Sequence, residues 1–265
     1  MDLGSLRAAI DERALPDEVV EAVLALVRPA VELIVVDVDG EDEADDEHED
    51  DEDEDDEADG EADDDEDEDG LLAGDYGGLP VGSEWPGFEG EPLVLVARLR
   101  CDVLAELLAE EWTLPVHGSL LFFNDALHRF GDGACRVLHV PDGAPETAVP
   151  EGAQVIPALP LGAWRCLSVP DLMVPALEAW RNEDLPGVAD VLDAVRPAVP
   201  YARHQVLGWL DEGYHPRGDG FRPLLQLEGE QGTAWGECVR IAFVVPEEDL
   251  PVGRLDRAAV VYETA

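Results

Sequence analysis

The sequence lacks lysine, and all 16 of its basic residues are arginine, against 63 acidic residues. The formal net charge of the 265-residue chain is therefore −47 at pH 7. Contacts to nucleic-acid phosphates and to anionic lipid surfaces need clustered basic side chains. The shortage of such side chains argues against nucleic-acid and membrane partners, and it leaves a basic protein as the partner that the charge favours.

Long apolar runs and an N-terminal targeting pattern are also missing. The longest apolar run, residues 30–38, is interrupted by Glu32 and Asp37 and is too short to span a bilayer. No basic region precedes an apolar one near residue 1, so we expect a cytoplasmic protein. The cysteines are few and form no Cys-x-x-Cys pair, so we expect buried thiols at Cys101, Cys135, Cys166 and Cys238.

Motifs that specify a reaction are absent as well. The histidines show no His-x-x-x-His or His-Glu-x-x-His spacing, so no metal site is predicted. The sequence contains no Gly-x-Ser-x-Gly, no phosphate-binding loop and no Gly-x-Gly-x-x-Gly. We therefore predict no catalytic residue and no cofactor, while the question whether the protein is an enzyme stays open.

Residues 40–70 form an acidic low-complexity segment. Positions 41–69 hold 24 of the 63 acidic residues and no apolar residue larger than alanine. Such a segment buries too little apolar surface to offset the entropy of ordering, so we predict that it is disordered. It is either a tether for basic proteins or a nucleic-acid mimic, or else a solvated spacer, the commoner role of charge blocks. Without it the formal charge is still −23, so the rest of the chain is acidic too.

The acidic segment divides the chain into three parts. Residues 1–39 are predicted to form helices at 3–10 and 17–27 and a strand at 31–38, which dock on the main domain. Residues 71–265 are predicted to form that domain, with an α+β fold and a mostly antiparallel sheet, because strand patterns between glycine and proline turns dominate. The predicted strands there are residues 92–99, 119–123, 135–140, 164–169, 222–228, 239–245 and 258–262, and the predicted helices are residues 102–110, 171–180 and 187–195.

Seven short motifs follow one another along the main domain. They are GGLPVGSEWP (77–86), PLVLVARL (92–99), LPVHGSLLFF (114–123), HQVLGW (204–209), LLQLEGE (224–230), WGE (235–237) and AFVVPEEDL (242–250). With these motifs in this order, the chain resembles the YwqG-like family, a bacterial domain of unknown function. The resemblance implies a compact α+β fold with a curved antiparallel sheet and short helices. It implies no activity and no catalytic residue.

Two positions depart from that family's pattern. Arg98 stands where the family usually carries glutamine, and Asp75 and Tyr76 stand where it tends to carry a basic residue before the two glycines. If those two residues bind an anion in relatives, this chain need not do so. Because Arg98 occupies this position, we take it as one candidate for a ligand-binding residue.

Three further candidates come from the residue pattern. His204 is the histidine of the HQVLGW motif, and imidazole titrates near neutral pH, although a structural hydrogen bond is the commoner role of such a residue. Gln226 alternates with Leu225 and Leu227, so it needs a hydrogen-bond partner if buried. The indole of Trp235 is one partner that the sequence offers, and the bond between them would either line a ligand site or close a hairpin.

Two functions from different classes are consistent with these features. The first is a non-enzymatic module, regulatory or immunity-type, that binds another protein, since the chain is strongly acidic and has no catalytic constellation. The alternative is a small-molecule-binding protein or an unrecognised enzyme, with a pocket between residues 77–86 and 204–209.

Overall fold

An antiparallel sheet organises the computed structural model, which describes residues 3–11, 16–36, 70–82, 84–125, 133–172, 174–177, 187–199, 202–210, 220–230 and 238–264. The strands in these residues are β1 (Arg28–Val35), β2 (Leu71–Tyr76), β3 (Gly87–Phe88), β4 (Glu91–Pro92), β5 (Val94–Arg100), β6 (Ser119–Asn124), β7 (Cys135–Val140), β8 (Leu159–Ser168), β9 (His204–Leu207), β10 (Phe221–Glu228), β11 (Cys238–Pro246) and β12 (Ala259–Thr264). β3 and β4 form a separate hairpin. The other ten strands lie in the order β12-β11-β10-β9-β1-β8-β2-β5-β6-β7.

The sheet curves until its two edge strands approach each other. The Tyr262 hydroxyl on β12 donates a hydrogen bond to Oδ1 of Asn124, at the end of β6, at 2.7 Å. The Cys135 thiol on β7 lies 3.5 Å from the carbonyl oxygen of Ala258. The result is a nearly barrel-shaped antiparallel sheet with a few short helices, which confirms the predicted α+β class and the curvature that the resemblance implies.

Short helices pack against both the interior and the ends of this sheet. They are α1 (Leu3–Asp11), α2 (Asp17–Leu24), α3 (Cys101–Leu108) and α4 (Val188–Val195), with 3-10 turns at Ala109–Glu111, Pro175–Leu177, Arg196–Ala198 and Glu247–Val252. α3 buries Leu104 and Leu108 in the same core as Phe122 and Phe243 because these leucines share one helical face. A second cluster joins α1, α2 and α4 to Leu167. No helix among the described residues is long and apolar enough to cross a membrane.

The N-terminal part of the chain supplies an inner strand of the sheet. β1 pairs with β8 along its whole length and with β9 through residues 30–33. Ala30, Val31 and Leu33 are buried. This strand covers residues 28–35, whereas the sequence pattern predicted residues 31–38. The domain boundaries at residues 39 and 70 stay predictions, and residues 40–69 of the predicted disordered segment lie outside the described residues.

Two strand assignments from the sequence were incomplete. β2 was not predicted, because Gly74 interrupts its short apolar run at a shift in register with β8. β8 begins at Leu159 rather than at residue 164, since the segment Leu159–Gly162 contains proline and glycine and gives a weak strand signal. Both strands are held mainly by pairing with neighbours that are distant in sequence.

Candidate functional site

The three predicted site residues that the structure describes, His204, Gln226 and Arg98, do not come together in one site. His204 lies on β9 and Gln226 on the adjacent β10, but Gln226 pairs directly with Gln205, the neighbour of His204. Successive side chains of a strand point to opposite faces, so His204 and Gln226 lie on opposite faces of the sheet. Arg98 lies on β5, several strands away. Trp235 lies outside the described residues.

His204 is buried, and both of its ring nitrogens are engaged. Its side chain is 1% exposed, and Nε2 lies 2.8 Å from Oε1 of Glu230. The backbone N–H of Glu228 donates to Nδ1 at 3.2 Å. A nitrogen that accepts carries no proton, so the ring is neutral and Nε2 donates to the Glu230 carboxylate. Burial lowers the pKa of His204 below its usual value, although the Glu230 carboxylate acts in the opposite direction.

Beyond this imidazole, ion pairs extend across the ends of four strands. Arg203 lies 3.2 Å from both Glu228 and Glu230. Arg240 lies 3.0 Å from Glu228 and 3.3 Å from Glu263. The network fastens β9, β10, β11 and β12 together. Both ring nitrogens of His204 form hydrogen bonds within the protein. These are the contacts of a structural residue rather than those of a catalytic base.

Gln226 bonds to the backbone after β9. Its side-chain amide donates to the carbonyl oxygen of Trp209 at 2.8 Å, and the Gln205 amide donates to the same oxygen at 3.1 Å. The chain reverses there through Leu207 (φ 58°) and Gly208 (φ 72°). The predicted need of Gln226 for a partner is met by Trp209, and these two amides hold a turn in which a non-glycine residue has left-handed geometry.

The turn also positions Trp209 against the N-terminal part of the chain. The indole N–H of Trp209 donates to the carbonyl oxygen of Leu26 at 2.6 Å. The guanidinium carbon of Arg28 lies 3.3 Å from the centroid of the Trp209 ring, a cation–π contact. Arg28 was not predicted as a functional residue, because an arginine before a proline at the start of a strand gives no specific sequence signal.

A cavity of about 150 Å³ lies at the C-terminal end of β9, beside Leu207. It is lined by Leu207, Arg222, Trp112, Glu111, Glu247 and Leu250, among others. Pockets for drug-sized ligands usually measure about 300–1,000 Å³, so this cavity suits a ligand of only a few atoms. Its lining includes none of residues 77–86. It therefore differs from the pocket that the sequence analysis proposed between residues 77–86 and 204–209.

The segment at residues 77–86 packs on the sheet beside an ion pair. Arg98 and Asp75 are direct cross-strand neighbours, and their side chains form a salt bridge at 2.5 Å. The two positions that depart from the resembled family thus contact each other. Trp85 is half-buried, donates to the carbonyl oxygen of Leu93 at 2.7 Å and packs edge-on against Phe123. In these contacts Arg98 binds Asp75, a protein carboxylate.

An apolar patch lies exposed on the face of β1, β8 and β2. Ile34 and Leu72 both pair with Gly162, one from each side, and they are 45% and 47% exposed. The Trp164 ring covers Gly162 and Gly70, where an added Cβ would lie 2.6 Å and 2.1 Å from ring atoms. We call Ile34, Leu72 and Trp164 the β8 patch. Residues 37–69, the most acidic part of the sequence, connect β1 to β2 along the chain.

Among the described residues, no group of three or more histidine, cysteine, aspartate or glutamate side chains is arranged to hold a metal ion. Burial raises the pKa of the Cys101 and Cys166 thiols to about 12, so both are protonated and poorly nucleophilic at neutral pH. Cys135 is buried too. These three residues therefore have the contacts of structural thiols.

A family model described as "Domain of unknown function (DUF1963)" matches residues 72–263. The chain belongs to this family. The match agrees with the predicted domain of unknown function, and it begins one residue inside β2, so β1 lies outside the matched region. No curated protein matches the sequence.

Proposed function

We propose that this protein is a non-enzymatic binding module, regulatory or immunity-type, that recognises a basic protein segment in the cytoplasm. We further propose that its family is the YwqG-like one that its motifs resemble. The observation that carries the binding function is the β8 patch, an exposed apolar surface that includes residues of β1 and β2, the two strands that the acidic residues 37–69 connect in the sequence. The partner that fits is a cationic segment with apolar side chains on one face.

The β8 patch offers a partner an exposed apolar surface. Ile34 and Leu72 flank Gly162, which has no side chain and is covered by the Trp164 ring. Contiguous exposed apolar side chains commonly mark interaction surfaces. An aromatic ring held over two glycines adds a rigid contact area, and aromatic residues often dominate the binding energy of an interface.

The electrostatic half identifies the kind of partner. The formal charge of −47 opposes the approach of a second copy of this chain or of any acidic protein. It accelerates the approach of a basic one, since opposite charges steer diffusional encounter. We assign specificity to the patch and acceleration to residues 41–69, because a low-complexity charge tract carries little geometric information.

The catalytic alternative has less support from the described residues. An imidazole base needs a nitrogen that can reach a substrate proton, and both nitrogens of His204 already have partners. Gln226 and Arg98 likewise bond to Trp209 and Asp75. A binding role uses the surface of the molecule and requires none of these groups.

A peptide titration tests the proposal. The probe is a labelled helical peptide with leucines on one face and arginines on the other, and a scrambled peptide of the same composition is its control. We expect the double variant Ile34→Ser/Leu72→Ser to bind the helical peptide roughly tenfold more weakly than the native protein does. Its affinity for the scrambled peptide should equal that of the native protein. Val252→Ser, at a residue 65% exposed outside the patch, is the matched control.

Binding kinetics separate the contribution of the acidic residues 41–69 from that of the apolar β8 patch. When a Gly/Ser linker replaces residues 41–69, the association rate should fall while the dissociation rate stays nearly constant. Added salt should reduce the association rate of the native chain, because exposed charges are screened within about 8 Å at physiological ionic strength. Equal affinity of the patch variant and the native chain for the helical peptide would refute the assignment of specificity to the β8 patch.

A further inference from the structure

Two arginines lie close together where β1 and β10 begin. Arg222 has a side chain that is only 17% exposed, and within the described residues its Nη1 lies 3.3 Å from Oε1 of Glu247. Its Nε is buried and has no hydrogen-bond partner in the described part of the chain. A buried donor without a partner costs free energy, so this N–H is suited to an additional acceptor.

Arg28 adds a second positive charge nearby. It is half-buried, and its guanidinium rests on the Trp209 ring. Burial and then the charge of Arg222 together lower the pKa of Arg28 to about 10, although Glu247 and Glu111 act in the opposite direction. The charges of Arg28 and Arg222 therefore act on each other, so an anion at Arg222 is also attracted by Arg28.

The cavity beside Leu207 adjoins this pair of arginines. Arg222 lines the cavity directly, and Leu207 contributes a wall from a left-handed backbone conformation (φ 58°) that a non-glycine residue seldom adopts. From the cavity, the unpartnered Nε of Arg222 and the neighbouring Arg28, we propose that this protein binds a small oxyanion, a phosphate or a carboxylate, at Arg222. We call this the Arg222 site.

Three carboxylates also line the cavity, on Glu110, Glu111 and Glu247. All three residues are exposed, so water and salt screen their charges. The Arg222 side chain is largely buried, and the attraction of a buried charge is screened much less. The balance therefore favours an anion that contacts Arg222 inside the cavity, and the glutamates at the rim limit the site to a small one.

Calorimetric titration tests this site with two probes, inorganic phosphate and acetate, against chloride at equal ionic strength. Binding of phosphate alone assigns the site to phosphates, binding of acetate assigns it to carboxylates, and binding of neither overturns the proposal. We expect Arg222→Gln to weaken binding at least tenfold. Arg165→Gln, which removes an exposed arginine on β8, should bind as the native protein does.

A spectroscopic readout on the native protein avoids dependence on the folding of the variants. Trp112 lines the cavity, and its indole N–H donates to the carbonyl oxygen of Pro115 at 2.9 Å. We expect the bound oxyanion to shift the indole NMR signal of Trp112, while that of Trp85, in the segment at residues 77–86, stays in place. Equal shifts at both indoles, or none at Trp112, would contradict the location. The β8 patch takes no part in this test, so the two proposals can fail separately.

Discussion

The imidazole of His204 lies between the last residue of β10 and the segment that follows it: Nδ1 is 3.2 Å from the backbone nitrogen of Glu228, and Nε2 is 2.8 Å from Oε1 of Glu230. The Tyr76 ring packs against it, with ring centroids 5.6 Å apart. Protonation at Nδ1 would break the bond from Glu228, because an N–H cannot accept an N–H. The fold therefore selects the neutral imidazole.

Stability should consequently depend on pH through His204. Its pKa is lowered in the folded protein by burial, so between the folded value and about 6.5 the unfolded chain binds more protons. The contribution of His204 is complete above about pH 6.5 and is lost as the pH falls through that window. Denaturant unfolding at a series of pH values from neutral to acidic measures the loss.

The matched variant for this prediction is His204→Gln. A glutamine amide can donate to Glu230 and accept from Glu228 without titrating. We expect the variant to be less stable than the native protein at neutral pH, with a difference that narrows as the pH falls. The many carboxylates affect both proteins alike, so the difference between them isolates His204. A difference that does not change with pH would show that His204 does not titrate with folding.

The residue pattern of a segment predicted a strand correctly where the segment itself has a high propensity for extended structure. β6, β7, β10 and β11 have apolar, β-branched or aromatic residues at regular spacing, and their predicted bounds lie within two residues of the observed ones. β2 and the first half of β8 have glycine and proline, and their extended form depends on pairing with each other. Such pairing joins residues far apart in sequence, and a local pattern does not encode it.

The candidate sites were predicted less completely for the same reason. The sequence indicated that Gln226 needs a partner and offered Trp235, which lies outside the described residues, but it gave no sign of the bond to the carbonyl oxygen of Trp209. Nothing in the sequence joined Arg28 to Arg222, because the two meet only when β1 and β10 flank β9. The β8 patch also appears only once Ile34 and Leu72 pair with the same glycine.

β1 should be essential for folding, although it lies outside the matched family region. Deletion of residues 1–39 would separate β8 from β9 and expose the buried faces that Val31 and Leu33 cover. We expect the remaining chain to lose cooperative thermal unfolding. Adding a peptide of residues 1–39 should restore a cooperative transition, which calorimetry would detect. A cooperative transition of the truncated chain alone would contradict this role of β1.

Replacement of residues 41–69 by a Gly/Ser linker is the matched control, since it keeps β1. β1 and β2 flank β8, so they are two strand spacings, roughly 10 Å, apart, and a linker of about ten residues spans that distance. We expect an equal or higher melting temperature, with the gain largest at low salt, because the replaced residues contribute charge repulsion and no apolar side chain larger than that of alanine. A lower melting temperature would show that these residues stabilise the fold.

Gly74 should tolerate no side chain. It has φ 144° at the register shift of β2, and an added Cβ would lie 1.9 Å from the carbonyl oxygen of Arg98. We expect Gly74→Ala to cost about 2–4 kcal/mol of unfolding free energy, from overpacking together with backbone strain. Gly152→Ala is the control, since Gly152 has φ 82° with nothing within 4 Å of the added carbon. Equal costs in urea unfolding would rule out the steric explanation.

The Asp75–Arg98 pair should behave as a modest, exchangeable ion pair. The two side chains are 21% and 36% exposed, so solvent screens their attraction, and a coupling energy of about 0.5–1 kcal/mol is expected. A double-mutant cycle with Asp75→Asn and Arg98→Gln measures it by urea unfolding. The exchanged pair Asp75→Arg/Arg98→Asp should regain most of the stability that either single charge reversal loses, because cross-strand neighbours keep their separation when their charges are exchanged. No recovery in the exchanged pair would mean that Arg98 is held by its packing rather than by Asp75.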